Sequence, residues 1–107
     1  MAARNIDHQE FEKLLQAGKP LLVDYWAPWC GYCRRIGPAY DKVAESQAGQ
    51  LDVVKVNIDE APVLAHQEHI EVIPTLVFYN SGKAVNSVVA PESKAAIDAF
   101  IEDSLRK

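Results

Sequence analysis

The sequence predicts an α/β fold in which a largely parallel sheet is flanked by helices. Segments with strand-like and helix-like apolar spacing alternate along the chain, which is the pattern of parallel strands with helical connections. The run Leu21–Trp26 is almost continuously apolar, as in a central strand that is covered on both faces. Two later strand-like runs are joined by Asn80-Ser81-Gly82-Lys83, a hairpin turn that adds an antiparallel portion.

The first helix is defined by the residues at its two ends. Asp7 and Glu10 have the spacing of a capping box, so we expect a helix to begin after Asp7. Gly18 and Pro20 then end it. The apolar face of this helix consists of Phe11, Leu14 and Leu15.

The other elements are predicted from apolar periodicity. Strands are expected at residues 51–58, 75–79 and 84–89, with a short edge strand near residues 3–6. Helices are expected at 31–48, with Gly37-Pro38 inside, at 60–69 and at about 92–105. The expected buried side chains are Ile36, Tyr40, Val43 and Ala44 in the helix at 31–48, and Ile97, Phe100, Ile101 and Leu105 in the last helix.

The composition indicates a single globular domain, residues 1–107, with a modest negative charge. Of the 107 residues 49% are hydrophobic, and the formal net charge is −4, which favours neither nucleic acid nor an anionic membrane as a partner. The N-terminal segment lacks the apolar core of a signal peptide, and no stretch reaches transmembrane length. We therefore expect a cytoplasmic protein, in which a reversible cysteine pair is favoured over a structural disulfide.

The two cysteines of the chain lie in Trp29-Cys30-Gly31-Tyr32-Cys33, between a predicted strand and a predicted helix. A C-x-x-C segment in this position is typical of a dithiol/disulfide redox site. Residues three apart on a helix are about 5–6 Å apart, within the ~4.4–6.8 Å range of a disulfide. Free N–H groups and the helix dipole favour a thiolate at Cys30, whereas Cys33 is covered by the first turn. This difference predicts that Cys30 attacks a disulfide and that Cys33 resolves the mixed disulfide.

Two other interpretations of the cysteine pair are weaker. A permanent disulfide between residues three apart closes a very short loop and removes little unfolded-state entropy. A structural zinc site needs four ligands. The remaining candidates, His66 and His69, are separated by two residues rather than by the usual three to five of zinc fingers. We therefore predict no metal site.

Asp24 is a single charged residue within the apolar strand at residues 21–26. A buried carboxylate is costly unless it is paired or neutral, and burial raises its pKa. Such a group can take the proton of Cys33 through a water molecule and so act as a general base. The alternative is that Asp24 lies at an exposed sheet edge, because aspartate is rarely fully buried.

Several segments at matching separations together resemble the thioredoxin family. These segments are Val23-Asp24-Tyr25-Trp26-Ala27-Pro28-Trp29-Cys30-Gly31-Tyr32-Cys33, Val56-Asn57-Ile58-Asp59, Ile73-Pro74-Thr75-Leu76 and Asn80-Ser81-Gly82-Lys83. The resemblance covers essentially the whole chain. It implies a central mixed sheet of about five strands flanked by four helices, with Cys30 exposed at the start of the second helix. It also implies a thiol–disulfide oxidoreductase that reduces protein disulfides through the Cys30–Cys33 pair and needs no bound cofactor.

The resemblance further implies roles for individual residues. Cys30 corresponds to the nucleophile, Cys33 to the resolving thiol and Asp24 to a buried carboxylate. Lys55 corresponds to a lysine that would oppose the rise of the Asp24 pKa. Pro74 corresponds to a cis-proline opposite the disulfide, in a loop that pairs with the substrate backbone. The residues implied to bind substrate are Trp29, Gly31, Tyr32, Ile73, Pro74 and Thr75.

The partners implied by the resemblance are disulfide-containing proteins and an NADPH-dependent thioredoxin reductase. We expect a monomer. Trp29 would flank the site as an exposed contact, whereas Trp26 is the better candidate for a core tryptophan.

Tyr32 stands where the family usually has proline. Tyrosine has an N–H that proline lacks, and this N–H could donate to the Cys30 sulfur. A better-solvated thiolate stabilises the reduced form, which would make the protein more oxidising than a typical thioredoxin. Arg34 and Arg35 would act in the same direction if they lie near the sulfur, although a solvated helix face explains them equally well.

Val72, Val89 and Pro91 are the other departures from the family pattern. Thioredoxins usually have glycine at the first two of these positions, where a partner backbone comes close. The branched side chain of valine would keep such a backbone further away. These residues therefore argue against unchanged recognition by a standard reductase or by all the usual substrates.

Three functions are compatible with the sequence. The first is a general disulfide reductase that is recycled by an NADPH-linked flavoprotein. The second is a more oxidising oxidase or isomerase with restricted clients. The third is a non-catalytic binding subunit, which the combined presence of Cys30, Cys33, Asp24 and Pro74 makes the weakest of the three.

Overall fold

The computed structural model describes residues 2–107. The four helices are α1 (His8–Ala17), α2 (Gly31–Ser46), α3 (Pro62–Gln67) and α4 (Lys94–Leu105). The five strands are β1 (Arg4–Asn5), β2 (Leu21–Trp26), β3 (Asp52–Asn57), β4 (Thr75–Asn80) and β5 (Lys83–Val89). These elements confirm the expected mixed sheet of five strands flanked by four helices.

The sheet has the strand order β1-β3-β2-β4-β5. Strands β1 and β2 run parallel to β3, whereas β4 runs antiparallel to β2 and β5 antiparallel to β4. Strand β2 is therefore paired on both sides. Asp24, in its middle, lies opposite Lys55 on β3 and Leu76 on β4. This central position explains why β2 is so strongly apolar in sequence.

Alternate side chains of β2 enter two separate cores, because successive strand residues point to opposite faces. Leu22 packs on the α2 and α4 side, with Tyr40 and Ile97. Val23 and Tyr25 pack on the α1 and α3 side. Since Asp24 is two residues from Leu22, its side chain shares the α2 side. The fold thus brings a carboxylate to the face of the sheet that carries the cysteine helix.

The predicted caps of α1 and the predicted hairpin turn are present, and residues close together in sequence form them. The Asp7 side chain accepts from Glu10 N at 2.8 Å, and Gly18 ends α1 with a φ of 74°. The β4–β5 hairpin has a two-residue loop, Ser81 and Gly82, with φ values of 55° and 77°. Positive φ at both loop residues matches the twist of the paired strands.

The structure differs from the sequence-based expectations in small ways. Helix α2 ends at Ser46 rather than at residue 48. Leu105 is exposed rather than buried, because it is the last residue of α4 and lies beyond the turn that packs on the sheet. Trp26 is half-buried at the end of β2, and its Nε1 donates to Asn5 Oδ1 at 2.8 Å. No helix within residues 2–107 is both long and apolar enough to cross a membrane.

A chain of hydrogen bonds between three side chains crosses the α1 and α3 side of the core. The hydroxyls of Tyr25 and Tyr79 are 2.7 Å apart, and Tyr79 donates to Glu68 Oε1 at 2.7 Å. Because the single proton of Tyr79 goes to Glu68, Tyr25 must donate to Tyr79. Burial raises the pKa of both phenols, so they remain protonated donors. The chain ties Glu68, at the C-terminal end of α3, to the centre of the sheet.

Removing the middle hydroxyl of this chain should destabilise the fold more than removing the terminal one. Tyr79→Phe leaves the buried Tyr25 hydroxyl without its acceptor and should lower the free energy of unfolding by about 1–3 kcal/mol. Tyr25→Phe leaves the bond from Tyr79 to Glu68 intact and should lower it by only about 0.5–1.5 kcal/mol. Urea denaturation at neutral pH measures both values. An equal loss in the two variants would contradict the assigned donor order.

Candidate active site

Cys30 and Cys33 form a disulfide at the N-terminus of α2, with their Cα atoms 5.3 Å apart. Cys30 is the N-cap residue and has extended backbone angles, with φ −86° and ψ 111°. Its amide donates to Ala27 O at 3.1 Å, which closes the turn between β2 and α2. Its sulfur accepts from the amide of Cys33 at 3.2 Å. Cys30 Sγ thus takes the position that the oxygen of a capping serine or aspartate would occupy.

The two cysteine residues differ in exposure, but less than the sequence suggested. Cys30 is 9% exposed and Cys33 is 4% exposed. The order agrees with an outer Cys30, but the expectation of an exposed Cys30 is wrong for the disulfide form. The Ile73 carbonyl lies 4.0 Å from Cys30 Sγ and helps to cover it. A disulfide sulfur carries no proton, so this approach is a contact rather than a hydrogen bond.

The loop that faces the disulfide contains a cis peptide bond between Ile73 and Pro74, which confirms the expectation for Pro74. Pro74 O accepts from Ala90 N at 2.9 Å, and the Thr75 hydroxyl donates to Val72 O. Ile73 makes no backbone–backbone hydrogen bond to any residue among 2–107. The loop is therefore anchored on both sides of Ile73, while the Ile73 amide and carbonyl stay available.

Asp24 is buried, with 2% of its surface exposed, so the alternative of an exposed edge is wrong. Burial raises the pKa of Asp24 to about 7, as the sequence predicted, and the charge of Lys55 opposes that rise, as the resemblance implied. Asp24 Oδ1 makes no hydrogen bond within the described part of the chain. A carboxyl group in this position can exchange a proton near neutral pH.

A cleft of about 210 Å³ connects this carboxyl group with the disulfide. One water molecule occupies about 30 Å³ in the liquid, so the cleft has room for several. Lys55 Nζ lies 5.0 Å from the ring centroid of Trp26, at the side of the cleft. The residues that line the cleft are Asp24, Trp26, Cys33, Arg34, Gly37 and Lys55.

Exposed apolar side chains lie beside the cysteines in sequence and beside the loop that contains Pro74. Trp29 is 66% exposed, and its Nε1 donates to Asp59 Oδ1 at 3.3 Å. Val72 and Val89 are also exposed, one just before Ile73 and the other paired in register with Thr75. Gly31, the first residue of α2, is exposed as well. Among the residues predicted to bind substrate, Trp29, Gly31 and Ile73 are thus accessible next to Cys30, whereas Pro74 and Thr75 are buried behind them.

Tyr32 is placed differently from the sequence-based expectation. Its hydroxyl donates to Pro91 O at 3.0 Å, and its ring is half-buried against the core on the α2 and α4 side. In the disulfide form, the amide that donates to Cys30 Sγ is that of Cys33 rather than that of Tyr32. The bond from Tyr32 to Pro91 was missed because the two residues are 59 positions apart, and the only sequence signal was that both depart from the family pattern.

The two arginines after the motif have partners other than the Cys30 sulfur. A guanidinium nitrogen of Arg34 donates to Pro28 O at 3.2 Å. The guanidinium carbon of Arg35 lies 5.9 Å from the centroid of the Tyr32 ring. Both residues are exposed on α2, which agrees with the interpretation that they belong to a solvated helix face.

Replacing Asp24 should make stability depend differently on pH. The folded protein binds the Asp24 proton more tightly than the unfolded chain, so ionisation lowers stability as pH rises from about 4 to about 7, and no further above that. The free energy of unfolding of Asp24→Asn minus that of the native protein should therefore increase by about 2–4 kcal/mol across this range and then level off. Urea unfolding of the oxidised protein from pH 4 to 9 measures it, with the exposed Asp52→Asn as control. A difference that does not vary with pH would contradict the buried carboxyl.

Comparisons with known proteins agree with this site. The thioredoxin family profile matches residues 2–103. The chain is 40% identical over 104 residues to thioredoxin 1 of Nostoc sp., covering 97% of each chain, and 41% identical over 105 residues to thioredoxin 1 of Synechococcus elongatus, covering 98% of each. The solved thioredoxin of Plasmodium falciparum superposes with a TM-score of 0.87 at 26% identity, covering 94% of this chain and 98% of that one. The chain belongs to the thioredoxin family and is a thiol–disulfide oxidoreductase with the Cys30–Cys33 pair as its redox centre.

Proposed function

We propose that Cys30 is the nucleophile that attacks the disulfides of client proteins and that Cys33 is the resolving thiol. The observation that carries this proposal is the position of Cys30 Sγ at the N-cap of α2, where it accepts from a backbone amide. The N-terminus of a helix stabilises negative charge, so the same position favours a thiolate in the reduced protein. Cys33 lies inside the first turn and is the less exposed of the two.

The reaction balances without a bound cofactor. The Cys30 thiolate attacks one sulfur of the client disulfide, a mixed disulfide forms, and the first client thiolate leaves. The Cys33 thiolate then attacks Cys30 Sγ, and the second client thiolate leaves. Two electrons pass to the client, and the protein is left with the Cys30–Cys33 disulfide.

Asp24 is the group that takes the proton from Cys33 in the second step. It shares the cleft of about 210 Å³ with Cys33, and its pKa of about 7 leaves it partly ionised at neutral pH. Transfer through a water molecule in the cleft fits this arrangement. Lys55, opposite Asp24 on β3, keeps the pKa from rising further.

The client backbone docks on Ile73. The free amide and carbonyl of this residue are what a short strand addition requires. Pro74 and Thr75 hold Ile73 in place from the sheet side. Trp29, together with Gly31 and the backbone of Tyr32 at the start of α2, completes the substrate-binding set, and the exposed Trp29 side chain suits an extended client segment.

We also propose a reductase partner, a cellular location and an oligomeric state for this protein. An NADPH-dependent thioredoxin reductase returns the pair to the dithiol, because the exchange with clients leaves the protein oxidised and needs an external reductant. The protein acts in the cytoplasm as a monomer with one domain, residues 1–107. Insulin reduction by the protein with NADPH and a thioredoxin reductase, compared with dithiothreitol, tests the reductase assignment.

The roles of the two cysteines can be separated by serine substitution. Cys33→Ser keeps the attacking sulfur but cannot resolve the mixed disulfide, so it should accumulate a covalent complex with insulin. Cys30→Ser should form no such complex, and both variants should reduce insulin at the uncatalysed rate. Mass spectrometry of the unreduced mixtures detects the complex, and far-UV circular dichroism checks the fold. A covalent complex that forms through Cys33 alone would reverse the assignment.

The reduction potential of the pair should lie tens of millivolts above the ~−270 mV of thioredoxin. Tyr32 is the second residue of α2, a position whose N–H can donate to the side chain of the N-cap residue, and proline has no such N–H. We expect this amide to become a second donor to the Cys30 thiolate when the disulfide opens. Tyr32→Pro should therefore lower the potential, with about 30 mV corresponding to ~1.4 kcal/mol. Equilibration with glutathione buffers measures both proteins. An unchanged potential in Tyr32→Pro would exclude the amide as the cause.

A further inference from the structure

The Tyr32 side chain connects the first turn of α2 to the segment between β5 and α4. Its hydroxyl donates to Pro91 O at 3.0 Å, and its ring packs against the core on the α2 and α4 side. Arg35 lies over the ring, with its guanidinium carbon 5.9 Å from the centroid. The hydroxyl is therefore already bound within the protein rather than free for a client.

The segment that Tyr32 holds also holds the loop with the cis-proline. Residues 90–93 connect the end of β5 to α4, and we call them the β5–α4 connection. Within it, the Ala90 amide donates to Pro74 O at 2.9 Å. Ala90 and Pro91 are consecutive, so the two hydrogen bonds are separated by a single peptide unit. Together they join the cysteine turn, the β5–α4 connection and the Pro74 loop.

The backbone of Ala90 shows why this connection needs an external contact. Its φ is 48°, a left-handed conformation that alanine adopts far less readily than glycine. Such a conformation persists where surrounding contacts hold it. The residue that follows, Pro91, has no amide hydrogen, so its carbonyl is its one backbone group able to form a hydrogen bond. The Tyr32 hydroxyl binds this carbonyl.

We propose that Tyr32 is a positioning residue for client binding. Its hydroxyl holds the β5–α4 connection so that the Ala90 amide stays bound to Pro74 O, and this bond in turn keeps Ile73 ready for a client backbone. The proposal rests on the docking role proposed for residues 73–75. It assigns the hydroxyl of Tyr32 an effect on the loop that contains Pro74, and this effect is separate from the one proposed above for the Tyr32 backbone amide on the Cys30 thiolate.

Tyr32→Phe isolates the hydroxyl, because it keeps the ring, the backbone amide and the position of Arg35. Loss of one hydroxyl–carbonyl hydrogen bond should open the connection more often, so the Ala90 amide hydrogen should exchange about three- to tenfold faster. Hydrogen exchange followed by NMR on the oxidised protein measures this rate. Tyr40→Phe is the matched control, since Tyr40 lies on the same helix but its hydroxyl binds Val54 O at 2.7 Å.

The kinetic test compares a protein disulfide with a small one. With dithiothreitol as reductant, the KM of Tyr32→Phe for insulin should rise about three- to tenfold, and its kcat should change by less than about twofold. Reduction of 5,5′-dithiobis(2-nitrobenzoate), which needs the cysteine pair but no peptide docking, should keep its native rate. The reduction potential should also remain at the native value, because the Tyr32 amide is retained.

Three results would overturn the proposal. An unchanged exchange rate at Ala90 would show that the hydroxyl does not hold the connection. An unchanged KM for insulin would show that the connection does not govern docking. An equal loss with both disulfides would place the effect on the cysteine pair. If the native protein itself fails to reduce insulin, the proposed function fails instead, which is a different outcome from any of these three.

Discussion

Cys30 caps the N-terminus of α2 with the same sulfur that forms the disulfide. The cap needs an extended backbone at Cys30 and directs the Cys33 amide to Sγ at 3.2 Å. One turn of helix then fixes the two Cα atoms 5.3 Å apart, within reach of a disulfide. The turn from Ala27 to Cys30 connects this cap directly to the end of β2, the central strand. The redox site therefore depends on an ordinary helix-capping interaction in which sulfur replaces oxygen.

The buried carboxyl group of Asp24 in the central strand lowers the stability of the fold. Asp24 lies in β2, between two neighbouring strands and on the α2 side of the sheet, and burial raises its pKa to about 7. A hydrophobic residue would pack more favourably there, because an ionised carboxylate without a hydrogen-bond partner is strongly destabilising. The charge of Lys55 opposes the rise in the pKa of Asp24, and the carboxyl group lines a cleft that it shares with Cys33. The same burial that destabilises the carboxylate thus gives it a useful pKa.

The surroundings of the disulfide are held by hydrogen bonds between segments that are distant in sequence. Tyr32 binds Pro91, and Ala90 binds Pro74, so the departures from the family pattern at positions 32 and 91 are in contact with each other. On the other side of the sheet, Tyr79 binds Glu68 at the end of α3, before the loop that contains Pro74. Tyrosine hydroxyls thus bind the β5–α4 connection on one side of the sheet and the end of α3 on the other, and each adds a bond without adding charge.

By itself, the sequence determined the order of the elements, the caps of α1, the hairpin at Ser81 and Gly82, and the redox pair, because each depends on neighbouring residues or on apolar periodicity. It also favoured a central strand for Asp24, since a charge is conspicuous in an apolar run, but the exposed-edge alternative stayed open until the sheet order and the burial of Asp24 were known. Only the tertiary structure decided that the Tyr32 side chain faces inward to Pro91 and that Cys30 is largely covered in the disulfide form. Those features are contacts between residues far apart along the chain, and no local preference of either partner specifies them.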